Sequence, residues 1–148
     1  MRFDGACKEG ITSCGAWTKL SGRERIHLHW NGGPGTNNKA KIMALWGGLL
    51  AACNLKLIKM HIYGDSKLII ESITGRQHLN IPDLQGWLRR TLHLWHRLGN
   101  PPISHIYRDN NMRADGLSKR GVNAVFGFMQ VEHYRDRALI WNTTIPIP

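Results

Sequence analysis

Carboxylates are scarce in this chain: Asp and Glu number 10 among 148 residues, against 20 Lys and Arg, for a formal net charge of +10. Such an imbalance favours a polyanionic partner, because phosphate neutralisation dominates affinity for nucleic acid. The plainer alternative is a basic soluble protein with no such partner. Cysteine is sparse as well. Cys7, Cys14 and Cys53 are odd in number and make no CxxC pair, which argues against a zinc site or a disulfide framework and for reduced thiols. No stretch reaches the ~18 consecutive apolar residues of a membrane span. Charge at Arg2 and Asp4 argues against a secretory leader, so a soluble protein inside a cell is expected, in nucleus or cytosol. Repeats and low-complexity tracts are also missing, and 148 residues suffice for one domain with a sizeable core.

What is present is a clear alternation of strand and helix signals. Arg2 to Ala6 reads as a short strand, shortened by starting almost at the first residue. Ser13 to Leu20 and Arg23 to Trp30 flank the turn pair Ser21-Gly22, and Arg25-Ile26-His27-Leu28-His29-Trp30 alternates as a half-buried strand does. These three strands predict an antiparallel meander. Gly32-Gly33-Pro34-Gly35 then breaks the chain. Thr36 or Asn37 can cap a helix whose Ile42, Leu45, Leu49 and Ala52 recur at helical spacing. Leu55 to Tyr63 is dense in apolar residues and predicts a central strand ending at Asp65.

Ser66 to Thr74 predicts a short helix stopped by Gly75, and Ile81-Pro82-Asp83 starts another, striped by Leu84, Trp87, Leu88, Leu92, Trp95 and Leu98. Ile103 to Tyr107 is the last expected strand, and Asn110 or Asn111 caps a helix reaching Lys119 or Arg120. The expected class is therefore α/β, in the order βββ-α-β-α-α-β-α, giving a mixed five-stranded sheet flanked by helices over residues 1–120. Residues 121–148 are expected to be a C-terminal extension, either a segment wrapping the domain or a loose tail that pairs with a partner.

Three of the few carboxylates stand at element boundaries: Asp4 in Phe3-Asp4-Gly5-Ala6, Asp65 in Gly64-Asp65-Ser66, and Asp115 at the start of the last helix. With them come Cys14-Gly15-Ala16, Gly35-Thr36-Asn37-Asn38-Lys39-Ala40, Ala44-Leu45-Trp46, Lys67-Leu68-Ile69-Ile70, His105-Ile106-Tyr107-Arg108-Asp109-Asn110-Asn111 and Ala114-Asp115-Gly116-Leu117-Ser118-Lys119. In this order the motifs resemble the ribonuclease H domain of plant non-LTR retrotransposons and related host proteins, over about residues 2 to 120. Each motif alone is weak; their order and spacing make the resemblance specific.

The resemblance implies an RNase H-like fold and hydrolysis of the RNA strand of RNA/DNA hybrids by two Mg2+ (or Mn2+) ions roughly 4 Å apart. Hard oxygen-seeking ions explain carboxylate ligands. Asp4 would bridge both ions, Asp65 would hold the one that activates water, and Asp115 the other. The family's fourth carboxylate is a glutamate on the first helix, and that position here is Lys41. A protonated lysine offers no lone pair and repels divalent ions, so metal binding and cleavage are expected to be weakened. Alternatively Lys41 takes an ion's place and holds the aspartates together. Glu9 and Glu71 are the nearest replacements, both expected on solvated faces.

Other carry-overs concern binding. Gly5 would let a phosphate or sugar approach, Thr36 would contact a DNA-strand phosphate, and Asn37 and Asn38 would read ribose and base edges in the minor groove. Arg108, or His105, would assist product departure. Arg89 and Arg90, beside Trp87 and Trp95, suggest a basic helix facing phosphate, with the tryptophans in the core. Two functions follow: an RNase H-type endonuclease impaired by Lys41, or a silent module of the same fold that binds hybrid or double-stranded nucleic acid. The chain could be one domain of a retrotransposon polyprotein.

Overall fold

A computed structural model describes residues 1–147. Strands β1 (Arg2–Lys8), β2 (Ile11–Lys19) and β3 (Glu24–Pro34) form the expected antiparallel meander. Its first turn, Glu9-Gly10, has both residues at positive φ (53° and 77°), as a two-residue hairpin turn with the right twist requires. Helix α1 (Asn37–Asn54) follows, with Thr36 as N-cap accepting from the Lys39 N–H at 3.2 Å. Ala40, Ile42, Leu45, Trp46 and Leu49 of α1 are all buried, and so are its glycines Gly47 and Gly48. A helix covered on so many sides is a central one, clamped here between the sheet and α3 (Gln85–Arg97).

Strand β4 (Ile62–Gly64) is much shorter than expected from Leu55 to Tyr63. Lys56 and Lys59 stand in the left-handed region (φ 54° and 55°), which breaks the extended run and leaves a loop before β4. Helix α2 (Lys67–Thr74) is capped by Ser66 and ended by Gly75 at φ 78°. A 3-10 turn at Pro82–Leu84 leads into α3. Strand β5 (Ile103–His105) and helix α4 (Met112–Gly121) complete the expected order.

The sheet has seven strands rather than five, in the order β5-β4-β1-β2-β3-β6-β7. The two additions are β6 (Phe128–Arg135) and β7 (Ala138–Pro146), a hairpin built from the segment expected to wrap or trail. Strand β6 pairs antiparallel with β3, from Glu24↔Arg135 to Trp30↔Met129. Its alternation places Met129 and Val131 in the core at 1% and 3% exposure, which accounts for the pairing. Arg23 and Asp136 join the two turns at 2.7 Å, and Arg120 of α4 reaches Glu132 at 3.2 Å. The last residue of the expected tail, Pro148, lies outside the described residues. No helix among those described is long and apolar enough to cross a membrane.

Candidate active site and nucleic-acid interface

Asp4 lies midway along β1 with its side chain only 6% exposed. Its neighbour Gly5 decides what stands opposite. A Cβ at Gly5 would fall 2.3 Å from the Ala40 carbonyl and 2.6 Å from the Lys41 nitrogen. The space expected to admit a phosphate is therefore filled by the first turn of α1. That close seat brings Lys41 over the sheet, where its Nζ donates to Asp4 Oδ1 at 2.8 Å and to Asp65 Oδ1 at 3.3 Å.

The two carboxylates have further partners. Asp4 Oδ1 accepts the Gly5 N–H at 2.8 Å. Asp65 Oδ2 accepts from Asn111 Nδ2 at 3.3 Å, and the same amide donates to the Phe3 carbonyl at 3.0 Å. Asn111 is 1% exposed, and its Oδ1 is buried without a partner. It stands at the head of α4 but its side chain caps nothing. His105 Nε2 lies 3.2 Å from the Asp65 carbonyl oxygen.

Burial raises the pKa of Asp4, and the field of Asp65 adds to this; the Lys41 hydrogen bond opposes both without reversing the direction. For Lys41, burial disfavours the ammonium, but hydrogen bonds and fields from Asp4 and Asp65 outweigh it and raise the pKa. The lysine is thus a held cation.

Asp115 does not join this group. It sits in the first turn of α4, a third exposed, paired with Lys119 at 3.0 Å. Glu71 pairs with Lys67 on α2, and Glu9 is exposed in the β1–β2 turn. Among the described residues, no three His, Cys, Asp or Glu side chains are grouped to hold a metal ion. The donor set does not fit a divalent pair: one oxygen of Asp4 and one of Asp65 are bound to an ammonium, and Asp115 is bound to another.

The expected binding residues are spread more widely. Thr36 and Asn37 are exposed at the head of α1, beside the half-buried Asn38, and Asn37 Oδ1 accepts the Cys7 N–H at 2.9 Å, tying the helix start to β1. Arg108 is exposed in the 3-10 turn Arg108–Asn110. Arg89 and Arg90 are exposed on α3, with the Arg90 guanidinium 4.9 Å above the Trp87 ring. Trp87 meets Trp46 edge-on at 5.4 Å, packing α3 against α1, and Trp95 donates to the Pro101 carbonyl at 2.9 Å, tying α3 to the segment that follows it.

Residues 2–121 match the family described as Reverse transcriptase-like. The chain belongs to the ribonuclease H-like family. It is 32% identical over 125 residues to Ribonuclease HI of Halobacterium salinarum, a span of 82% of this chain. That span is 62% of the relative's length. The solved RNase H1 of the same archaeon superposes with a TM-score of 0.71 at 27% identity, covering 82% of this chain and 95% of that one. LC11-RNase H1, solved with an RNA/DNA hybrid, gives 0.69 at 21% identity over 82% of this chain and 94% of its own, a likeness of fold.

Proposed function

We propose that this RNase H-like domain binds RNA/DNA hybrid or double-stranded nucleic acid and cleaves it weakly or not at all. The observation that carries this is the Lys41 ammonium between Asp4 and Asp65, at 2.8 and 3.3 Å. By resemblance the position belongs to a glutamate that helps hold Mg2+ or Mn2+. Here a cation occupies it, so the ions that would activate water face repulsion where they need a ligand.

Binding does not need those ions. A net charge of +10 supplies the attraction to phosphate. Exposed Thr36 and Asn37, with Asn38, at a helix start suit a phosphate and the ribose hydroxyls of a minor groove. Arg89, Arg90 and Arg108 add positive charge on exposed turns of the surface.

The test compares the chain as it stands with Lys41→Glu and with Lys41→Glu/Asp65→Asn on a labelled hybrid, with Mg2+ or Mn2+. Expected is binding by all three and cleavage by Lys41→Glu only. Cutting by the unaltered chain at a rate that Lys41→Glu leaves unchanged overturns the proposal.

A further inference from the structure

The sheet ends at β7, and among the described residues no strand lies beyond it. An open edge of this kind is ordinarily guarded by a lysine or by a proline within the strand. Strand β7 has neither: Ala138–Pro146 holds no ionisable side chain, and its one proline comes last. In a chain with 20 Lys and Arg that is a marked local departure. Leu139, Ile140 and Trp141 are exposed there, Trp141 by 51%. The hairpin also lies beyond residues 2–121, the part that matches the family.

The ladder fixes which backbone groups of β7 are free. The Ile147 N–H donates to the Gly127 carbonyl at 2.8 Å, one step past the pair Phe128↔Pro146. Bonded and non-bonded pairs alternate along an antiparallel ladder, so Ile145, Thr143 and Trp141 also turn their N–H and C=O toward β6. Asn142 and Thr144, between them, turn theirs outward, and Pro146 turns out a carbonyl alone. The register shift opposite His133 and Tyr134 leaves Ile140 without a partner on β6, so the regular part of the edge runs from Trp141 to Pro146.

We propose that two copies of this chain associate through β7, antiparallel about a two-fold axis at Thr143, joining their sheets into one. In that register Asn142 of each copy meets Thr144 of the other, and their outward N–H and C=O groups satisfy one another. Thr143 meets its own counterpart, and Trp141 meets Ile145, on the face where β6 carries Met129 and Val131. These are non-hydrogen-bonded positions, where side chains approach most closely, and threonine pairs and aromatic–β-branched pairs are favourable there. Pro146 falls opposite Ile140, so its missing donor lies where the regular edge ends. An axis between two residues would set outward groups against inward ones. An axis at Asn142 would put Trp141 opposite Thr143 and lose its apolar partner. No charge on either β7 faces the other, so two bodies of net charge +10 meet along an uncharged border. A pairing this short buries less than the ~1,200 Å² of a standard interface, so the dimer is weak, in the micromolar range.

Sedimentation equilibrium of the full chain across micromolar concentrations tests this. The mass should rise from one chain toward two and no further, and the dimer should tighten as salt screens the repulsion between the copies. Thr144→Pro removes an outward N–H and leaves the bonds to β6 in place, as proline on an edge strand allows. It should weaken the dimer by about tenfold or more while the melting temperature of the dilute protein stays near the parent's. Because Thr143 faces itself, Thr143→Lys and Thr143→Glu should each be monomeric alone, and an equal mixture of the two should dimerise. Melting curves establish that each variant folds; if a charged variant does not, Thr144→Pro decides. A mass of one chain at every concentration overturns the proposal and leaves the edge to a strand of another protein. Masses beyond two chains would mean that β7 pairs with β5 of the next copy, the head-to-tail arrangement that does not close, and would overturn it too. So would a Thr144→Pro dimer as tight as the parent's, or a mixture of charged variants no heavier than either alone.

Discussion

Gly5 and Ala40 touch backbone to backbone: a methyl group added at Gly5 would sit 2.3 Å from the Ala40 carbonyl carbon. Because the obstacle is main chain, it cannot swing aside as a flexible side chain does. Gly5→Ala should push α1 off β1 and cost about 2–3 kcal/mol, the range for overpacking a tight core. Urea denaturation measures it, and a loss under 0.5 kcal/mol would show that the helix start is free to shift.

Lys41→Met keeps the length of the side chain and leaves Asp4 and Asp65 without their shared cation. With side-chain exposures of 19%, 6% and 7% for the three groups, the loss should be about 2 kcal/mol, below that of a fully buried pair. The pH dependence has a definite sign. The folded protein holds the Lys41 proton more tightly than the unfolded chain, so this contribution is complete below the ordinary lysine value of 10.5 and is lost as pH climbs through the raised one. Denaturation curves of the unaltered chain and Lys41→Met should therefore converge above pH 10.5. Parallel curves across that range would sink the assignment.

Metal response gives a readout independent of cutting. The melting temperature of the unaltered chain should not move with millimolar Mg2+ or Mn2+, since an ammonium already stands between Asp4 and Asp65 and repels a second cation there. Lys41→Glu places a third carboxylate there and should be stabilised by either ion through mass action. A metal-induced rise in the unaltered chain would contradict the geometry.

Asn111 holds Phe3 and Asp65 together through one amide nitrogen. Asn111→Leu fits a similar volume but leaves the Phe3 carbonyl and an Asp65 oxygen short of a donor. A loss of about 1–3 kcal/mol is expected from chemical denaturation. If the variant is as stable as the parent, the amide is not the tie between β1 and the Asp65 turn.

Much of this was legible in the sequence because local chemistry and fold agree. Thr36, Ser66 and Gly75 bound their helices where capping preferences put them. The pattern around Ile26, Leu28 and Trp30 gave β3 its buried face. The motif order led to Asp4, Asp65 and Lys41, which meet as side chains. Three things were not legible. The loop at Lys56 and Lys59 depends on backbone angles that composition does not encode, and the apolar residues around them imitate a strand. Asn111 reads as a cap because two asparagines precede α4 where one suffices; its inward turn depends on a carbonyl 108 residues away. Gly5 read as room for a ligand because a missing side chain does not say what fills the gap.

The pairing of β6 with β3 also sets the order in which the protein can be assembled. Glu24 and Arg135, which bond at 2.9 and 2.7 Å across that pair, are 111 positions apart. As the chain leaves the ribosome, the edge of β3 stands bare until residues 128–135 have been made, because contacts of such separation carry the full entropy of loop closure. Through that interval the meander presents Leu28 and Trp30 beside an open row of backbone donors and acceptors. The hairpin closes that edge and moves the frontier to β7, whose nine residues from Ala138 to Pro146 carry no charge at all. Nascent chains therefore stay prone to pairing with the wrong strand until β6 has been made and has docked.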